Sequence, residues 1–119
     1  MKIIRPSEVK TEQENRPVFI GIVTRQTLIG SDVGKDFNAA LVHFAAGAHS
    51  KFNVHTSDQI LIITAGKGII GNQNQEFHVG VGDVVFIPAG ENHWHGAIKE
   101  SSFSHISIQK KESQTTWQQ

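Results

Sequence analysis

The sequence predicts an all-β domain on three observations. From Val18 onward, short segments rich in Val, Ile and Phe recur, residues of the Gly, Asn, Asp or Pro type separate them, and no stretch sustains the three-and-four spacing of a helical face. The expected strands are 18–28, 37–44, 51–55, 59–64, 68–73, 75–79, 84–87, 93–98 and 103–109. Turn-forming groups lie between them: Ala45-Ala46-Gly47, Ala65-Gly66-Lys67-Gly68, Asn72-Gln73-Asn74, Gly80-Val81-Gly82-Asp83 and Pro88-Ala89-Gly90-Glu91-Asn92. Strands at this spacing predict a closed or sandwiched barrel. No helix follows Gly66, Gly68, Gly80, Gly82 or Gly90, so these glycines are read as turn residues and not as a phosphate cradle.

Residues 1–17 are polar apart from Ile3, Ile4 and Val9 and hold two of the three prolines, which marks an N-terminal arm of the kind that often pairs with a partner subunit. Residues 110–119, KKESQTTWQQ, are polar except for Trp117 and read as a tail, with Trp117 expected to dock on the barrel surface. The barrel is thereby assigned to residues 18–109. A chain of 119 residues suits one domain, because two separate cores would each be too small to fold unaided.

Composition excludes several functions. Eleven Lys plus Arg balance eleven Asp plus Glu, and the basic residues are scattered, so the electrostatic footprint of nucleic-acid binding is missing. No run of about 18 apolar residues offers a membrane span. The start, MKIIRPSEVK, lacks the pattern of a secretory signal, which leaves the cytoplasm as the expected location. With no cysteine there is no disulfide, thiolate zinc site or cysteine nucleophile. Histidine is the unusual component: seven are present, five of them after Asn53.

Strand parity gives the first functional pointer. In 103–109, Phe103, His105, Ser107 and Gln109 share one face, while Ile106 and Ile108 share the other, which is expected to pack. A polar face turned into a barrel lines a pocket. Trp94, between His93 and His95, is expected to point outward, and the run Ile60 to Ile63 to serve the core or a subunit interface.

Two segments carry the chemistry: GAHSKFNVHTSDQILIITAG, from Gly47 to Gly66, and GDVVFIPAGENHWHGA, from Gly82 to Ala97. They resemble the two motifs of the cupin family at every spacing. Gly47 and Gly66 agree, His55 takes the second motif histidine, Asn53 replaces the first, and Gln59 replaces the glutamate. In the second motif Gly82, Pro88, Gly90 and His93 agree and Ala97 replaces an asparagine. The resemblance implies a cupin double-stranded β-helix, a jelly-roll-like barrel, over roughly the central half of the chain.

Strand geometry fits this independently. Asn53 and His55 are two apart and so face the same way, while Gln59 and His93 enter from neighbouring strands. Imidazole and amide donors suit one divalent metal ion, manganese or iron as well as zinc or nickel, with coordination positions left for a substrate; the preference for manganese is what the family resemblance implies. His49 shares the parity of Asn53 but sits too far along the strand to substitute for it.

The first motif's His-x-x-x-Gln, followed by PAGENHWHGA and FSHISIQ, is similar to the small single-domain cupins that include manganese-dependent hydroxynitrile lyases. That likeness implies metal ligation by His55, Gln59 and His93 with Asn53 in the remaining place. It also implies catalytic pocket roles for His95, His105 and Gln109, a substrate wall from Ala40, Val42 and Phe44, and a homodimer. His95 and His105 read equally as residues that merely orient a neighbour. Two functions follow: a metal-dependent enzyme on a small organic substrate, of the hydroxynitrile-lyase or oxygenase type, or a non-catalytic cupin that binds or senses a small ligand through a weakened metal site.

Overall fold

In the computed structural model, which describes residues 1–118, a 3-10 turn (Pro6–Glu8) precedes twelve strands. These are β1 (Glu12–Gln13), β2 (Phe19–Ile20), β3 (Val23–Ile29), β4 (Phe37–Phe44), β5 (His49–Ser50), β6 (Asn53–His55), β7 (Gln59–Asn72), β8 (Glu76–Gly80), β9 (Val84–Ile87), β10 (His93–Ala97), β11 (Phe103–Lys110) and β12 (Thr115–Trp117). They form one curled sheet with two faces turned toward each other. One half runs β1-β3-β4-β11-β7 with β9 also on β7; the other runs β7-β10-β5-β2 with β8 on β7 and β6 between β10 and β12. Apart from the 3-10 turn the described residues contain no helix, and none is long and apolar enough to cross a membrane.

Strand β7 joins the halves, and here the structure corrects the expectation of two strands, 59–64 and 68–73. The Ala65-Gly66-Lys67-Gly68 group is not a turn. Opposite it on β11, Ser104 pairs with Ala65 and His105 with Ile63, so Thr64 is an extra residue bulged out of register. Gly66 adopts φ +71, and a Cβ there would lie 1.8 Å from the Ser102 carbonyl oxygen. The bulge and this glycine bend one continuous strand from the β11 side to the β8 and β10 side.

The expected strand 18–28 is likewise divided, at Gly21, whose φ of +89 turns the chain from β2, paired with β5, to β3, paired with β4. The arm adds β1 antiparallel to β3 of its own chain, and Gln26 holds the arm by donating to the carbonyls of Pro6 and Val9. The tail adds β12 to β6, with Trp117 opposite Asn53.

Between the sheet halves lies the apolar core, including Val23, Phe44, Leu61, Ile63, Ile70, Ile87 and Phe103. Phe44 and Phe103 are fully buried, and each contributes about 1.5–3 kcal/mol by leaving water. Trp94 does face outward, lying across Gly71, where a Cβ would meet its Nε1 at 2.2 Å. Leu61 and Ile63 join the core, whereas Ile60 and Ile62 turn to the outer surface. There, cross-strand rows Leu41–Ile106–Ile62–Val84 and Ala39–Ile108–Ile60–Phe86 make a largely apolar outer face, on which Val84 and Phe86 are 66% and 61% exposed.

Candidate functional site

The inward faces of β3, β4, β6, β7, β10 and β11 enclose a cavity of about 190 Å³. Among the residues around it are Arg25, Asn38, Val42, Asn53, His55, Gln59, His95, His105, Ser107 and Gln109. The volume suits a small molecule, below the range of about 300–1,000 Å³ found for drug-sized ligands.

Four of the seven histidines, His55, His93, His95 and His105, are buried here. The other three leave the interior: His43 bonds Ser104 through Nδ1, His49 packs edge-on against Trp94, and His78 lies on the exposed strand β8.

His55 and His93 meet with ring centroids 5.0 Å apart, close enough for both to reach one ion through bonds of about 2.0–2.1 Å. Each is anchored by its other nitrogen. His93 Nδ1 lies 2.9 Å from the Glu91 carbonyl oxygen, which can only accept; Nδ1 therefore carries the proton and Nε2 presents a lone pair. His55 Nδ1 is bonded to Thr115 Oγ1 at 2.8 Å, a partner delivered by the tail strand β12. Gln59 donates Nε2 to Ser107 Oγ at 2.9 Å. What remains is a coherent set: His55 Nε2, His93 Nε2 and Gln59 Oε1 are all buried and none has a hydrogen-bond partner. Buried polar atoms are nearly always paired; Gln59 lies close enough to His55 to act on its imidazole, and with His55 Nδ1–H donating to Thr115 Oγ1 the three atoms form a donor set that a cation would satisfy together. No group of three or more His, Cys, Asp or Glu poised for a metal occurs among the described residues; here the third donor is an amide oxygen.

Asn53, like Gln59, is held by its amide nitrogen and lines the cavity. Its Nδ2 donates to the Lys51 carbonyl at 2.8 Å and lies 3.3 Å from both Ser50 Oγ and the His93 carbonyl. The amide thus ties β6 to β10, a structural task that the spacing alone did not indicate.

Beyond the pair, His95 stacks on His93 at 6.0 Å, and His95 Nδ1 lies 3.3 Å from His105 Nε2. Phe44 packs against both rings, with centroids 5.5 and 5.6 Å away. Burial pushes the His105 imidazole down to about 4. Burial, reinforced by His105, His93 and His55, holds His95 well below 6.5. Burial also lowers His55 to about 4, with His93 adding to it, and lowers His93 against the opposing pull of Glu91. At neutral pH all four rings are neutral, the form that binds metal or accepts a proton.

Of the expected substrate wall, Val42 lines the cavity, while Ala40 and Phe44 sit in the core behind it. Gln109 lines the cavity, with Nε2 3.5 Å from Ser113 Oγ. Sequence reasoning did not single out Arg16, Arg25, Asn38 or Thr115, and it placed Ser107 on the pocket face without naming its bond to Gln59. Arg25 was within reach of such reasoning, because its parity in β3 matches the buried Val23; Thr115 was not, since nothing local marks a tail residue as the partner of His55.

The curled double-half barrel with inward histidines on β6 and β10 defines a cupin, and the chain belongs to the cupin domain family, whose model matches residues 40–108. It is 40% identical over 75 residues to the (R)-mandelonitrile lyase of Granulicella tundricola, covering 60% of this chain and 56% of that protein. It is 42% identical over 48 residues to the acireductone dioxygenase of Leptospira biflexa, covering 37% of this chain and 27% of that protein. The matches therefore span about half and about a quarter of those relatives. Among solved structures, a cupin-like protein of Thermotoga maritima superposes with a TM-score of 0.84 at 30% identity, over 89% of this chain and 83% of its own.

Proposed function

We propose that the barrel holds one divalent metal ion on His55, Gln59 and His93 and acts on a small organic substrate in the adjoining cavity. The three orphaned donor atoms carry this reading. Two imidazoles and an amide oxygen suit manganese, with iron, zinc and nickel accommodated by the same set. The bound ion would supply Lewis-acid polarisation of a substrate oxygen. The likeness to a mandelonitrile lyase favours carbon–carbon cleavage of the hydroxynitrile-lyase type over the oxygenase chemistry that the shorter dioxygenase match would support.

The chain's own residues handle the proton. His95 and His105 are neutral, buried and joined at 3.3 Å, so a proton taken from a substrate hydroxyl by one ring is shared with the other. Phe44 and Phe103 pack against His105, fix its plane and exclude water from its side. Gln109, cross-strand from Gln59, and Asn38, cross-strand from Gln109, line the cavity and offer amide groups to orient the substrate. The test is elemental analysis and turnover together: wild type carries metal and cleaves mandelonitrile, His55→Ala loses both, and His105→Gln keeps metal but loses turnover. Metal-loaded protein that binds small ligands and turns none over supports the non-catalytic binder instead.

The same reading places a second copy of this chain on the outer face. The two apolar rows there are continuous across β4, β11, β7 and β9, and Gln26, on the outer side of β3, carries the arm with exposed Ile3 to the edge of that face. Exposed apolar side chains in one stretch, here Ile60, Val84 and Phe86, mark a surface suited to a partner. Sedimentation should show a dimer that Phe86→Glu dissociates; a wild-type monomer contradicts this.

A further inference from the structure

At one side of the cavity the basic residues are unevenly matched. Arg16 takes Glu14 in a two-pronged contact, Nε at 2.9 Å and Nη2 at 3.0 Å. Arg25 reaches the same carboxylate only through Nη1 at 3.7 Å, beyond ordinary hydrogen-bond length. Glu12, the cross-strand neighbour of Arg25 on β1, is exposed and forms no ion pair among the described residues. Arg25 pairs in register with Val42 and turns into the cavity, with its side chain 37% exposed. No Asp or Glu lines that cavity; the charged residues around it are Arg16 and Arg25 alone. A guanidinium presents five donors in a planar fork shaped for a carboxylate, and here most of the fork is unmatched.

The metal donors point the same way. His55, His93 and Gln59 are all neutral, so a divalent ion held by them keeps most of its charge; no carboxylate lines the cavity itself, and Glu91 acts from behind His93. Cavities lined by one sign of charge concentrate the opposite sign.

We propose that the molecule accepted by this cavity is a small organic carboxylate, with its carboxylate on Arg25 and a neighbouring hydroxyl or carbonyl oxygen directed to the His55, Gln59 and His93 end. The buried, unpartnered Asn38 Oδ1 stands ready to accept a hydrogen bond from a ligand hydroxyl. This identification of the substrate class rests on the reading of the cavity as the site of a metal-dependent enzyme for a small hydroxylated molecule, for which mandelonitrile serves as a neutral probe of carbon–carbon cleavage and a hydroxy acid is the better-matched ligand.

The test uses lactate and lactamide, which differ in charge and hardly in shape, in titration calorimetry on the full chain loaded with manganese and again without metal. Wild type should bind lactate about tenfold or more tightly than lactamide. Arg25→Gln should erase that preference while retaining metal, as checked by elemental analysis, and Arg25→Lys should keep part of it. Should Arg25→Gln fold poorly, Glu14→Gln is the second variant: it removes the carboxylate between the two guanidiniums and should tighten lactate several-fold. Equal binding of the two probes, no lactate binding up to about 10 mM, or a preference that survives Arg25→Gln overturns the proposal. Absence of bound metal in wild type would remove the metal reading alone, because the charge preference is measured separately in the metal-free chain.

Discussion

Gln59 donates its amide nitrogen to Ser107 Oγ at 2.9 Å, which leaves its buried carbonyl oxygen free on the side where Gln59 meets His55. An amide is a weak metal donor that rotates freely unless its nitrogen is held, so the donor set depends on a serine one strand away. Partners of this kind typically alter metal affinity by about 10–100-fold. Ser107→Ala should weaken metal binding by about tenfold with the melting temperature of the metal-free protein little changed; chelator competition measures it.

Thr115 does the same for His55 from β12. Thr115→Val, or removal of residues 110–119, should lower metal affinity although neither change touches a ligand. Equal affinity in the truncated chain would show that His55 needs no orientation from the tail.

Asn53 locks β6 to β10 through its Nδ2. Asn53→Ala leaves buried carbonyls short of a donor and should destabilise the fold by about 1–3 kcal/mol, read by urea denaturation.

Much of this arrangement was legible in the sequence. The alternation in 103–109 placed Phe103, His105, Ser107 and Gln109 on one face, and motif spacing brought His55, Gln59 and His93 together. Glycine misled at residues 65–68, because a bulge inside a strand and a turn between strands call for the same residue. Only the pairing of β7 with both β11 and β10 distinguishes them. The resemblance puts Asn53 in the fourth ligand place, while parity reports where its side chain points but not which groups its amide nitrogen meets; Nδ2 bonds Ser50 Oγ and the carbonyls of Lys51 and His93. The contacts of Thr115 and Arg16 join segments remote in sequence, which no local pattern encodes.

That bulge makes its own prediction. Gly66→Ala places a methyl against the Ser102 carbonyl at a positive φ, so the variant should melt well below wild type, whereas Gly80→Ala, with open space around it, should not.

The neutral His105 sets a pH dependence. Its pKa falls from 6.5 to about 4 on folding, so between those values the unfolded chain binds more protons than the folded one. Stability conferred by this group is complete above about 6.5 and declines as pH falls toward 4. In metal-free protein, melting temperature should drop over that interval, and His105→Gln should flatten the decline.

The account turns on His55 Nε2, His93 Nε2 and Gln59 Oε1 sharing one cation. Elemental analysis of the purified chain beside His55→Ala/His93→Ala measures this most directly. One equivalent of a first-row divalent metal per wild-type chain and none in the double variant is the predicted result; a wild-type chain that stays metal-free after incubation with manganese, iron, zinc and nickel, or a double variant that keeps its ion, contradicts it.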